Sequence, residues 1–171
     1  MNTHASNLDA RPLLPNPLGD NAAEKVAAPM NRLLADVFAL YVKTKNFHWH
    51  VSGPRFRECH LAFDEQAGQL FAMVDPIAER VRKLGAPTLH SLGEIRSLQT
   101  LADSDEAGLA ATDMVRALAY DNVRLADAMR DAHRLCDELG DVATASLLET
   151  WIDETEGRSY VLRTTLAGES E

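Results

Sequence analysis

The stretch Lys45–Glu65 reads KNFHWHVSGPRFRECHLAFDE, and it contains the end of one helix, a turn and the start of another. Upstream of it, Val26, Met30, Leu33, Val37, Leu40, Tyr41, Thr44 and His48 recur at steps of three and four. That is the apolar stripe of an amphipathic helix. Ser52-Gly53-Pro54 breaks it. A second periodic segment runs from about Arg55 to Leu84 and stops at Gly85-Ala86-Pro87, a glycine-then-proline terminator. So short a turn lays the two helices side by side, with His48 on one and His60 and Asp64 on the other.

Working outward, residues 1–21 are rich in Asn, Pro, Asp and Gly without periodicity and are expected to form a flexible tail. A bundle is expected over 22–167 and a short C-terminal tail over 168–171. Residues 86–104 form a long middle connection with room for a short helix near Ser91–Leu98. A third helix is expected from about Asp105 to Leu139, carrying Val115, Leu118, Asn122, Leu125, Met129 and Cys136. After Gly140-Asp141 a fourth carries Leu148, Trp151, Ile152, Thr155, Leu162 and Leu166. Four long helices with two tight turns and one long central crossover imply an all-α four-helix bundle in the up-down-down-up order of ferritin-like folds.

The 171 residues suit one domain with a single core. Lys and Arg number 17 against 26 Asp and Glu, a net charge of −9, which argues against a generic nucleic-acid binder and suits a handler of cations. The two cysteines, Cys59 and Cys136, show no zinc-ribbon or disulfide spacing, so a reducing cytoplasm is expected. No apolar run is long enough for a membrane span, and the N-terminus lacks the pattern of a signal peptide.

Helix two carries His60 and Asp64, then Asp75 and Glu79, each pair spaced i, i+4. All four fall within about 100° of one helix face. Ionisable groups beside Phe56, Phe63 and Phe71 are costly there unless paired or metal-bound. Asp64 and Asp75 lie about 16 Å apart along a straight helix, too far for one metal ion. Yet both pairs are centred on the same point, between Gln69 and Leu70. Two antiparallel copies about a twofold axis there would set His60 against the other copy's Glu79, and Asp64 against its Asp75. Two equivalent shared sites result, about 22 Å apart. His48 joins from the first helix. Imidazole and carboxylate without thiolate suit iron, manganese or zinc.

Lys45, His48-Trp49, Gly53, Phe56, His60 and Asp64-Glu65 together resemble the signature of the Dps family, the mini-ferritins. Asp75-Pro76-Ile77-Ala78-Glu79-Arg80 resembles that family's second motif. The resemblance implies a hollow dodecamer built from twofold dimers. It implies an intersubunit ferroxidase centre that oxidises Fe(II), preferably with hydrogen peroxide, and stores ferric mineral. Its ligands by resemblance are His48, His60 and Asp64 of one chain with Asp75 and Glu79 of the next, with Zn or Mn as substitute metals. Ordinary ferritins use Glu-x-x-His motifs within one bundle. Here the residues three before His48, His50, His60, His90 and His133 are Lys45, Phe47, Arg57, Pro87 and Arg130, so that arrangement is disfavoured.

DNA binding in the family relies on a basic tail. Residues 1–24 hold Asp9, Asp20 and Glu24 against Arg11 alone, and the last eight add Glu169 and Glu171. Weak or no DNA binding is expected; a nucleoid-compacting protein with little enzymatic role is the alternative. Trp49 is read either as packing or as a sink for a stray oxidising equivalent. Pro76 is read as a tolerated kink. Seven acids and no Lys or Arg over 137–156 suggest either a solvated face or an iron inlet, the latter because the family places a pore at the start of helix four.

Overall fold

The computed structural model describes residues 18–167. Five helices follow in order: α1 (Asp20–His50), α2 (Phe56–Lys83), α3 (Leu92–Leu98), α4 (Ala111–Leu139) and α5 (Val142–Ala167). The tail expected over 1–21 falls outside the described residues up to position 17, and α1 already runs through Asp20 and Asn21. The C-terminal tail, 168–171, also lies outside them.

The turn between α1 and α2 needs Gly53, whose φ of 91° no β-carbon-bearing residue adopts readily. Gly140 ends α4 in the same way, left-handed at φ 74°. Asp141 then starts α5: its carboxylate accepts the Thr144 backbone N–H at 3.1 Å, an N-cap bond. Pro76 sits inside α2 and Pro29 inside α1, and both helices run continuously past them.

The direction of the crossover can be followed along α1 through hydrogen bonds. Asn31 donates to the Pro87 carbonyl at 3.0 Å. Farther on, the buried Asp36 accepts the Leu101 N–H at 2.9 Å and the Thr100 hydroxyl at 2.8 Å. At the far end Asn46 donates to the Ser104 carbonyl at 3.0 Å. The connection therefore climbs along α1 from Asn31 to Asn46, which makes α4 parallel to α2 and gives the up-down-down-up order. The short helix lies where the sequence places it, capped by Ser91, whose hydroxyl accepts the Glu94 N–H. The third long helix starts at Ala111, later than the expected Asp105. Gly108 turns at φ 78°, and the bonds from Asn46 to Ser104 and from Gln99 to Asp103 (2.8 Å) hold the preceding residues in an irregular path.

The core is filled by Met30, Leu34 and Leu40 of α1, Phe63, Leu70 and Ile77 of α2, Leu118, Leu125 and Met129 of α4, and Leu148 and Leu162 of α5. A buried ion pair, Lys43 to Asp121 at 2.6 Å, ties α1 to α4. At the opposite end of α1's stripe, Arg80 donates to Asp141 and Thr144, each at 2.7 Å, and pins the end of α2 to the start of α5.

Candidate metal centre

His48 lies in the last turn of α1, where backbone carbonyls have no partner within the helix. His60 lies in the second turn of α2. The turn at Gly53 folds one onto the other, and the rings stack with centroids 3.8 Å apart and planes 23° apart. Each Nδ1 donates to the other residue's backbone carbonyl: His48 to His60 at 2.8 Å, His60 to His48 at 2.9 Å. A carbonyl only accepts, so both Nδ1 atoms carry hydrogen. In the neutral rings each Nε2 then keeps its lone pair for another partner. Phe56 packs on His60 at 5.0 Å and completes one wall.

Asp64 stands one turn beyond His60. Its Oδ1 lies 3.8 Å from His48 Nε2. The same oxygen accepts from Lys45 Nζ at 2.7 Å. The Lys45 ammonium, through that hydrogen bond first and its charge second, holds the Asp64 carboxyl below the ordinary aspartate value. The Asp64 side chain is 57% exposed, so the pair lies at an open surface.

The structure thus draws His48, His60 and Asp64 of one chain together. It does not bring Asp75 and Glu79 to them: both are exposed farther along α2, and Glu79 instead accepts from Lys83 at 3.3 Å. Among the described residues of a single chain, no three imidazole, carboxylate or thiol groups converge closely enough to hold a metal ion. Among the described residues the bundle interior offers no such cluster either. Its middle holds the Arg158 guanidinium, a positive charge where a ferritin would gather carboxylates.

Two residues acquire roles that their sequence positions did not announce. Lys45 occupies Asp64 Oδ1, the oxygen 3.8 Å from His48 Nε2; its position one turn before His48 on the same helix face was the available signal. Arg80, beside Glu79, turns inward to Asp141. That removes Asp141 from the acids of the 137–156 segment that face solvent. Others are paired as well: Asp137 and Glu149 flank His133 at 3.2 Å each, and Glu156 meets Arg130. His50 donates into its own helix, to Asn46 O at 2.8 Å, and points away from the site. Trp49 is 64% exposed, with Lys45 Nζ 5.9 Å from its ring centre.

The ferritin-like domain family matches residues 27–169 of the chain. A low temperature-induced protein of Nostoc sp. is 37% identical over 153 residues, covering 89% of this chain and 86% of that one. A DNA protection during starvation protein of Brevibacillus brevis is 34% identical over 124 residues, covering 72% and 83%. The crystal structure of a Dps protein from Vibrio cholerae, described as a member of a broad superfamily of ferritin-like diiron-carboxylate proteins, superposes with a TM-score of 0.85 at 26% identity. It covers 92% of this chain and 99% of the other.

Proposed function

Because the chain belongs to the Dps family of ferritin-like proteins, we propose that it is an iron-storing ferroxidase whose centres form between two subunits. Each centre takes His48, His60 and Asp64 from one chain and Asp75 and Glu79 from its twofold mate, within a hollow dodecamer. The observation that carries this reading is the reciprocal lock of His48 and His60, which leaves both Nε2 atoms free of the lock and sets that of His48 3.8 Å from the exposed Asp64 carboxylate. A half-site of three ligand-type groups needs a second half. The i, i+4 pair Asp75 and Glu79, exposed on the same helix and spaced symmetrically about Gln69 and Leu70, supplies it in an antiparallel dimer. Leu61 and Phe71, each 58% exposed on that face, give the dimer apolar area. Gly68, with open space where a side chain would be, lets the two helices approach.

The substrate is Fe(II) with hydrogen peroxide. Two Fe(II) ions give one electron each, and peroxide takes both with two protons to leave two waters and two Fe(III). Paired transfer avoids the hydroxyl radical that a single electron would release. The locked imidazoles bring neutral nitrogen donors, the carboxylates balance the growing charge, and the C-terminal end of α1 adds its negative dipole. Lys45 must leave Asp64 before that oxygen can bind iron. Zn or Mn would occupy the same donors without this redox step. The place of action is the cytoplasm; among the described residues no helix is long and apolar enough to cross a membrane.

Anaerobic loading with Fe(II), followed by stopped-flow mixing with peroxide or oxygen, tests the activity. Fast oxidation with peroxide, slower with oxygen and impaired in Asp64→Ala, is the expected result. No acceleration over buffer with either oxidant refutes it. With acidic termini and a net charge of −9, the protein should leave plasmid DNA unshifted in a gel at physiological salt.

A further inference from the structure

The two imidazoles of the half-site are not equally well anchored. His48 ends a helix in which the nearby Thr44 and Phe47 are buried. His60 stands about 7 Å beyond the start of α2. Cys59 and Phe63 bury the inner side of that helix, but before them Phe56, Arg57 and Glu58 are exposed. No side chain caps its first N–H groups, and the turn ahead of it bends at Gly53, with open space around it. The reciprocal bonds of His48 and His60 need this end of α2 to keep its place, because each ring binds a backbone carbonyl of the other helix.

Arg55 is the residue at which α2 begins: its carbonyl accepts the Cys59 N–H at 3.0 Å. Its side chain leaves the helix and reaches α5. Nη2 donates to the Thr165 carbonyl at 3.0 Å and to Glu58 Oε1 at 3.1 Å, and Nε donates to Glu58 Oε2 at 3.4 Å. Thr165 belongs to the last four residues of α5, whose carbonyls no N–H of the helix reaches, and a guanidinium suits that negative end. Glu58 orients the guanidinium, since its two oxygens meet two nitrogens of one plane. We propose that Arg55 is a positioning residue of the metal centre: braced by Glu58, it hooks the first turn of α2 to the C-terminal turn of α5 and so keeps His60 in register with His48. The inference rests on the reading of His48 and His60 as iron ligands. Arg55 acts through His60 and is not itself a ligand.

Arg55→Ala in the whole assembly should leave every ligand in place but let the end of α2 part from α1 for much of the time. With the lock closed in about a fifth of the molecules, the Fe(II) concentration that half-saturates peroxide-driven oxidation should rise about fivefold, and the maximal rate at saturating iron should change by less than about twofold. Zn(II) binding, measured by calorimetry without redox chemistry, should weaken by the same factor. In the metal-free protein, hydrogen exchange read by mass spectrometry should quicken over 52–60 and not in the core of α4. Glu58→Gln, at an exposed residue that does not threaten folding, keeps only part of the brace and should weaken both metals about twofold. Unchanged metal affinity in Arg55→Ala, with binding lost in His60→Ala, would overturn the positioning role and leave the ferroxidase reading standing. A fall in maximal rate with half-saturation unchanged would make Arg55 a structural tie alone and overturn it as well. Undiminished oxidation in His60→Ala would instead defeat the ligand assignment on which the inference rests.

Discussion

His48 and His60 hold each other by their backbones: each imidazole Nδ1 donates to the carbonyl of the other residue, at 2.8 and 2.9 Å. The first two turns of α2 are thereby fastened to the last turn of α1 before any metal arrives. Both rings are set in the tautomer that carries hydrogen on Nδ1. Such preorganisation would let the two imidazoles meet a metal ion without turning, whereas Asp64 would first have to part from Lys45.

Lys45 works against that site. Its ammonium, 2.7 Å from Asp64 Oδ1, competes with a cation for the same oxygen and repels it. Lys45→Met should tighten Zn(II) binding by about tenfold, measured by calorimetry with zinc as a redox-silent substitute. The variant should also let the Asp64 carboxyl rise toward the ordinary aspartate value near 4, readable by carboxyl NMR titration. The sign follows from a depressed folded pKa. The pair's contribution is present above about pH 4 and lost as pH falls through the lower folded value. Unchanged zinc affinity would mean that Lys45 swings away freely and exerts no control.

Arg80 and Asp141 carry a structural duty at the far end of the bundle. Asp141 is both the partner of Arg80 and the N-cap of α5. Arg80→Ala leaves a buried carboxylate unpaired and should cost about 3 kcal/mol, a fall in melting temperature of several degrees by calorimetry. Asp141→Asn keeps a capping group and should cost less. The double variant should fall short of the sum, because both changes break one contact.

Cys136 should be inert. Burial, with the charge of Asp141 as a second cause, pushes its thiol up to about 12. At pH 8 an aromatic disulfide reagent should label it at least about a hundredfold more slowly in the native protein than in denaturant. Rapid native labelling would mean that the α4 terminus opens readily.

Much of the fold was legible because its signals are local and periodic. The glycine turns at Gly53 and Gly140, the cap at Ser91 and the three-four stripes each carry their own physical cause. The start of α4 was less legible. Gly108 and the long-range bond from Asn46 to Ser104 decide it, and a bond across 58 residues leaves no local mark. At the site, i, i+4 spacing set His60 and Asp64 on one face, and the turn length brought His48 to them. The grip of Lys45 on Asp64 and the inward swing of Arg80 depend on side-chain direction, which spacing does not encode. The burial of Arg158 is likewise a tertiary fact, since an arginine on a helix is ordinarily read as solvated.

The shared centre is tested most directly by mixing two inactive variants. One carries His60→Ala and Asp64→Ala, the other Asp75→Ala and Glu79→Ala. Each alone should lack peroxide-driven Fe(II) oxidation above buffer. After co-assembly at equal ratio, half the dimers are mixed, and each mixed dimer contains one fully wild-type centre when ligands come from two chains. Stopped-flow assays of the mixture should then recover about a quarter of wild-type activity. No recovery, with mixed assembly verified by mass spectrometry, would contradict a centre divided between subunits.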